Sequence, residues 1–157
     1  MSNQALESLI SPELIRLDLN FDDKMDAIET LLKLIDENGK IEDREQALND
    51  LKEREEEATT GVGKGIGIPH AKTQAVTEPT VAFIRAENGV DFGAADGEPA
   101  RLLFMLIFPE DSEEDYLDLL SDISRSLIHD DVRISLLEAS SEDKVMEILE
   151  KEVSNDE

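Results

Sequence analysis

The chain contains no cysteine. That absence excludes a disulfide framework, a thiolate metal site and a cysteine nucleophile. Long apolar runs are missing too: nothing approaches the roughly 20 residues of a membrane span, and Met1 to Asn20 lacks the basic start and small-residue cleavage site of a signal peptide. A cytoplasmic protein without direct membrane insertion is expected. Positive charge is scarce, with 15 basic against 39 acidic residues and a formal net charge of -24. Neither nucleic acid nor an anionic membrane attracts such a polyanion, so both are excluded as partners. The acids are spread along the whole chain and do not form a tail. A folded domain under that self-repulsion fits a high-salt cytoplasm, where screening acts over a few Å, and points to a halophilic source.

What is present suffices for one domain of 157 residues, with 39% hydrophobic residues to build a single core. Leu14 to Leu19 alternates as a half-buried strand. Asp22 or Asp23 can cap a helix with Met25, Ile28, Leu31, Leu32 and Ile35 on one face, ending at Asn38-Gly39. Asp43 can cap a second helix whose apolar side carries Ala47, Leu48, Leu51 and Ala58, with Arg54 flanking that side near the end. A short strand is expected to end near His70, and a clearer one spans Val81 to Ala86. Turn chemistry marks Glu87-Asn88-Gly89 and Ala95 to Pro99, and the unbroken apolar run Leu102 to Phe108 reads as a central strand buried on both faces. Ser112 with Asp115 can open a helix through about Ile128, its inner face holding Tyr116, Leu119, Leu120, Ile123 and Leu127. Asp130 or Asp131 opens a shorter helix to about Glu138, and Ser140 another to about Glu150. Lys151 to Glu157 is expected to fray. Helices on either side of a group of strands imply a layered α/β domain with a mixed sheet.

The chemistry concentrates in Gly61 to His70, which reads GVGKGIGIPH. Glycine at every second position (Gly61, Gly63, Gly65, Gly67) lets backbone N–H groups approach an anion closely. Pro69 fixes its own φ and removes a donor beside His70, one of two histidines in the chain. A Walker loop fails because Gly63-Lys64 is followed by Gly65 and lacks a glycine five residues earlier; a dinucleotide fingerprint fails because the glycines recur only at offsets of two. A metal is disfavoured: His129 lies far along the chain and no carboxylate has tight ligand spacing to His70. A hydrolase triad lacks its nucleophile turn. A histidine that accepts a phosphoryl group needs a neutral ring nitrogen, backbone donors and a nearby cation, and the chain offers His70, the glycine backbone, and Arg54 or Lys72. Thr59 and Thr60 are possible phosphate donors. His129 and the acidic helix faces read as surface.

EREEEATTGVGKGIGIPHAK, followed by GVDFGAADGEPARLLFMLIFPED and YLDLLSDISRSL, resembles the IIA component of the phosphoenolpyruvate-dependent sugar phosphotransferase system, of the fructose/mannitol class. The resemblance covers nearly the whole chain, from Pro12 to the C-terminal helices, and implies one domain over residues 1–150 with 151–157 as a tail. It implies a three-layer α/β/α sandwich around a central mixed sheet and a phosphoryl carrier that needs no metal or organic cofactor. By that resemblance His70 is phosphorylated, at Nε2, by the carrier protein HPr and passes the group to a fructose-type IIB protein working with a membrane IIC. Arg54 is then the phosphate-stabilising arginine, and Thr60, Gly61, Gly63, Gly65 and Gly67 are phosphate-binding candidates. Tyr116 stands where the family commonly has a second histidine facing the first. It retains a hydroxyl but stays neutral at physiological pH. The alternative reading is a regulatory phosphohistidine module of the nitrogen-related branch, which signals by protein binding.

Overall fold

The computed structural model describes residues 9–153, without the side chains of residues 113–115. A 3₁₀ turn, Pro12–Leu14, leads into β1 (Ile15–Leu19), α1 (Lys24–Glu37) and α2 (Arg44–Glu57). Four short or medium elements follow: β2 (Gly61–Gly63), β3 (Ile66–Gly67), β4 (His70–Thr73) and β5 (Thr80–Val90). The chain continues through β6 (Ala100–Pro109), α3 (Glu113–Leu127), α4 (Asp130–Glu138) and α5 (Glu142–Glu152).

The sheet runs β1-β5-β6-β3-β2, with β4 also pairing with β6. It is mixed: β1 is parallel to β5, β5 antiparallel to β6, and β3 and β4 both parallel to β6. The apolar run places β6 at the centre, where Leu102 to Phe108 are all buried. α1 packs on β5 and β6 and α2 on β4, while α4 packs on β6 and α5 on β1. The result is a three-layer α/β/α sandwich, as expected.

Helix starts follow the acids and serines. Asp23 accepts from Asp26 N–H and Asp43 from Gln46 N–H, satisfying donors that a helix N-terminus leaves open. Elsewhere the sequence expectation and the structure differ. α5 is capped by Ser141, which accepts from Lys144 N–H at 3.1 Å, and Ser140 lies outside it. Ser112 Oγ donates to Pro109 O at 2.7 Å and leaves α3 without a side-chain cap; Asp115's side chain lies outside the described set. Glu87-Asn88-Gly89 is not a turn between strands but an irregularity inside β5, where Gly89 has φ +85 and the register with β6 shifts between Arg85 and Val90. At the other end α5 continues through Glu152 and Val153 is buried, so apolar packing holds the chain past Glu150. Residues 154–157 of the expected frayed tail lie outside the described residues.

Candidate active site

β3 does not end at His70; it stops at Gly67, and β4 starts at His70, opposite Leu106 of β6. Pro69 lies between them. It has no N–H to give the ladder, but its carbonyl accepts from Leu106 N–H at 3.0 Å, so the sheet resumes one residue later with the imidazole at the strand's first position.

His70 is largely buried. Its Nδ1 lies 2.6 Å from the Ile68 carbonyl oxygen. A carbonyl only accepts, so Nδ1 carries the proton and Nε2 the lone pair. No buried side-chain nitrogen or oxygen among the described residues lacks a partner, whereas Nε2 has none; it is therefore the nitrogen that reaches solvent. Burial pushes the imidazole pKa below its ordinary value. The Ile68 carbonyl works against that shift, the Arg54 charge adds to it, and the Glu55 carboxylate opposes it. At neutral pH the ring is uncharged.

Nε2 faces an open pocket of about 330 Å³ lined by Arg54, Thr59, Thr60, Val62, Ile68 and His70, with Leu120, Ser121 and Ser124 of α3 closing its other side. Arg54 sits in the last turn of α2 and donates from one guanidinium nitrogen to Ala58 O at 2.9 Å. Among the described residues no carboxylate pairs with it. In so acidic a chain, a cation left without a carboxylate beside an uncharged imidazole is placed to receive an anion.

Tyr116 lies beside the imidazole as its position suggests. Its ring centroid is 5.6 Å from that of His70 and 5.4 Å from that of Phe108, which it meets edge-on, and Lys72 Nζ lies 5.8 Å from the Tyr116 ring. The tyrosine thus wedges the imidazole against the end of β6.

The glycines and Thr60 take other duties. Gly61 pairs with Gly67 and Gly63 with Ile66 in a β2–β3 hairpin whose turn residues Lys64 and Gly65 both have positive φ. Gly61 N–H donates to Thr59 Oγ1, Lys64 N–H to Asp96 and Ile68 N–H to the Thr60 carbonyl. A Cβ at Gly61 would lie 2.8 Å from that of Phe92, and one at Gly67 3.1 Å from Leu103 Cδ2. These glycines serve the turn and close packing on Phe92 and β6, and none of them lines the pocket. Thr60 lines it, but its hydroxyl donates to Glu55 Oε1 at 2.7 Å and its N–H to Glu55 Oε2 at 2.8 Å. Thr60 therefore has no hydroxyl hydrogen left for a phosphate.

Sequence reasoning missed Glu55. Ala58 is the exposed residue after α2, and the inner face continues instead from Ala47 and Leu51 to Glu55. The carboxylate is buried against Thr60 and Lys24, whose Nζ is 3.1 Å away. An acid at the i+4 continuation of an apolar stripe was the available signal. Of the residues expected to form an apolar rim, Val62 is 55% exposed, whereas Ile66 and Ile68 are buried in the sheet. Leu117, 51% exposed on α3, takes their place. His129 is exposed, and among the described residues no three His, Cys, Asp or Glu side chains gather to hold a metal.

A mixed sheet flanked by helices, with one uncharged histidine and one arginine meeting in an open pocket, defines an α/β domain that sets an unprotonated ring nitrogen beside a cation. Residues 8–152 match the family described as phosphoenolpyruvate-dependent sugar phosphotransferase system, EIIA 2, and the chain belongs to that family. It is 55% identical over 143 residues to the fructose-specific EIIA component of Haloferax volcanii, covering 90% of this chain and 93% of that one. Its fold matches the nitrogen regulatory protein IIA-Ntr of Neisseria meningitidis with a TM-score of 0.81 and 31% identity, covering 91% of this chain and 97% of that one. The mannitol IIA of Escherichia coli, solved in complex with phosphorylated IIB, shares the fold at a TM-score of 0.78 and 23% identity, over 90% and 97% of the two chains.

Proposed function

We propose that the chain is a phosphoryl carrier of the sugar phosphotransferase system, receiving a phosphoryl group from phospho-HPr on His70 Nε2 and passing it to a fructose-type IIB protein. The observation that carries this is the pairing of an uncharged His70, its proton fixed on Nδ1, with an arginine in the same pocket that has no carboxylate among the described residues. In the transfer the Nε2 lone pair forms the new N–P bond while the donor's N–P bond breaks and its electron pair stays on the donor imidazole. The Nδ1 proton stays in place. The phosphorylated ring is then an imidazolium whose charge rests on the Ile68 carbonyl, and Arg54 faces the phosphoryl oxygens. Delivery reverses these changes: the acceptor's nucleophile takes phosphorus and the electron pair returns to Nε2.

Fructose is the assigned class because the Haloferax volcanii relative carries that specificity in its name and matches nearly end to end. HPr and IIB would dock over Val62, Leu117 and Leu120, an apolar strip on an acidic molecule. The chain needs no cofactor for this chemistry and turns over no small molecule by itself. No helix among the described residues is long and apolar enough to cross a membrane, in keeping with work at the cytoplasmic side of a membrane IIC. The likeness to IIA-Ntr supports a second reading, in which the same phosphohistidine signals nitrogen or carbon status by protein binding.

Intact-mass spectrometry without acid, after incubation with phosphoenolpyruvate, enzyme I and HPr in molar KCl, tests the carrier reading. One phosphoryl adduct is expected on the native chain and none on His70→Ala. An adduct that survives in the variant rejects His70 as the acceptor.

A further inference from the structure

Four hydroxyls line the pocket that Nε2 faces, and they are not equivalent. Thr59 Oγ1 donates to the Phe92 carbonyl while accepting from Gly61 N–H, and Thr60 Oγ1 donates to Glu55. Each hydroxyl has a single hydrogen, so neither threonine can also donate to an anion without breaking a bond that holds the hairpin. Ser121 and Ser124 stand on the opposite wall, one helical turn apart on α3. Ser121 Oγ only accepts, from an Arg125 guanidinium nitrogen at 3.1 Å, and keeps its hydrogen. Ser124 is half-buried and has no hydrogen-bond partner among the described residues, not even the carbonyl four residues back that a helical serine commonly takes.

We propose that Ser121 and Ser124 are the hydroxyl donors to the phosphoryl group on His70, holding it from the α3 side while Arg54 holds it from α2. The inference rests on the carrier reading and extends it to residues outside the histidine motif. The phosphoryl oxygens are acceptors only, and the pocket supplies them with one guanidinium and two uncommitted O–H groups around the open Nε2. Arg125 donates to Ser121 Oγ and so polarises that hydroxyl, while its other terminal nitrogen is paired with Asp122 at 2.6 Å. No covalent change occurs at either serine: both bonds form as the N–P bond forms and are released when it breaks.

Alanine at both positions suits a helix, so Ser121→Ala with Ser124→Ala should keep the fold, checked by circular dichroism. Phosphoryl acquisition from phosphoenolpyruvate, enzyme I and HPr, and the lifetime of the isolated phosphohistidine, are then measured for the native chain, the single and double alanine variants, and Ser124→Thr. Each alanine is expected to slow acquisition about tenfold and shorten the lifetime, with Ser124→Thr retaining both properties through its hydroxyl. Native rates and lifetimes in the double variant would overturn the serine assignment and leave the carrier reading standing. A Ser124→Thr variant as slow as Ser124→Ala would also overturn it, because loss would then follow shape and not the hydroxyl. No phosphohistidine at His70 in the native chain would sink the carrier reading and this inference with it.

Discussion

Arg54 and Arg85 are both basic residues beside the central sheet, and their surroundings assign them opposite work. Arg85, on β5, is buried and its guanidinium is committed throughout: two nitrogens meet Asp18 at 2.9 Å and the third donates to the carbonyls of Leu136, Leu137 and Ala139 at the end of α4. It ties β1, β5 and α4 together and satisfies carbonyls that a helix C-terminus leaves open. Arg54 makes one bond, to a backbone carbonyl, at the edge of a pocket. An arginine whose donors are spent is part of the scaffold, whereas one with donors left over beside an open pocket and an uncharged imidazole is the one the proposed transfer draws on.

Substitution should separate the two. Arg54→Gln is expected to slow phosphoryl acquisition by about a hundredfold, the scale for removing a preorganised charge from a transfer site, with thermal stability nearly unchanged. Arg85→Met should do the reverse, lowering stability by about 2 kcal/mol through the orphaned carbonyls while the folded fraction transfers phosphate at the native rate. Chemical denaturation and acquisition rates on both variants would expose a wrong assignment: a stability loss at Arg54 or a transfer loss at Arg85 breaks the distinction. A smaller effect concerns pH. His70 titrates below its ordinary value, so acquisition should fall with acid only beneath that value, as the Nε2 lone pair is protonated. Because the unfolded chain binds this proton more readily, His70 also costs stability as pH drops from the ordinary histidine value through the folded one. Arg54 contributes to the lowering, so Arg54→Gln should move the His70 midpoint upward in an NMR titration, whereas Arg85→Met should leave it in place.

The distinction also shows what the residues could reveal before the fold was seen. The meeting of His70 and Arg54 was legible because Pro69 and the preceding helix mark them locally, and β6 was legible because an unbroken apolar run has few other uses. The Arg85–Asp18 contact was not, since 67 residues separate its partners and nothing near either announces the other. Alternate glycines suggested an anion cradle, but a tight hairpin packed on Phe92 calls for the same residues, and sequence spacing does not separate these uses. Thr60 was similarly ambiguous, and nothing in the sequence marked Ser124. Both are hydroxyls, and only the structure shows that Glu55 has taken one and left the other. Acidity was legible from composition, and the similar chain from Haloferax volcanii fits the high-salt setting it implies.

The most direct measurement is ¹⁵N NMR of the labelled chain in molar KCl, before and after phosphorylation by phosphoenolpyruvate, enzyme I and HPr. Before transfer a neutral His70 with its proton on Nδ1 is expected, and afterwards coupling to phosphorus at His70 Nε2 alone. Phosphorus on Nδ1, on His129 or on any other residue would overturn that assignment.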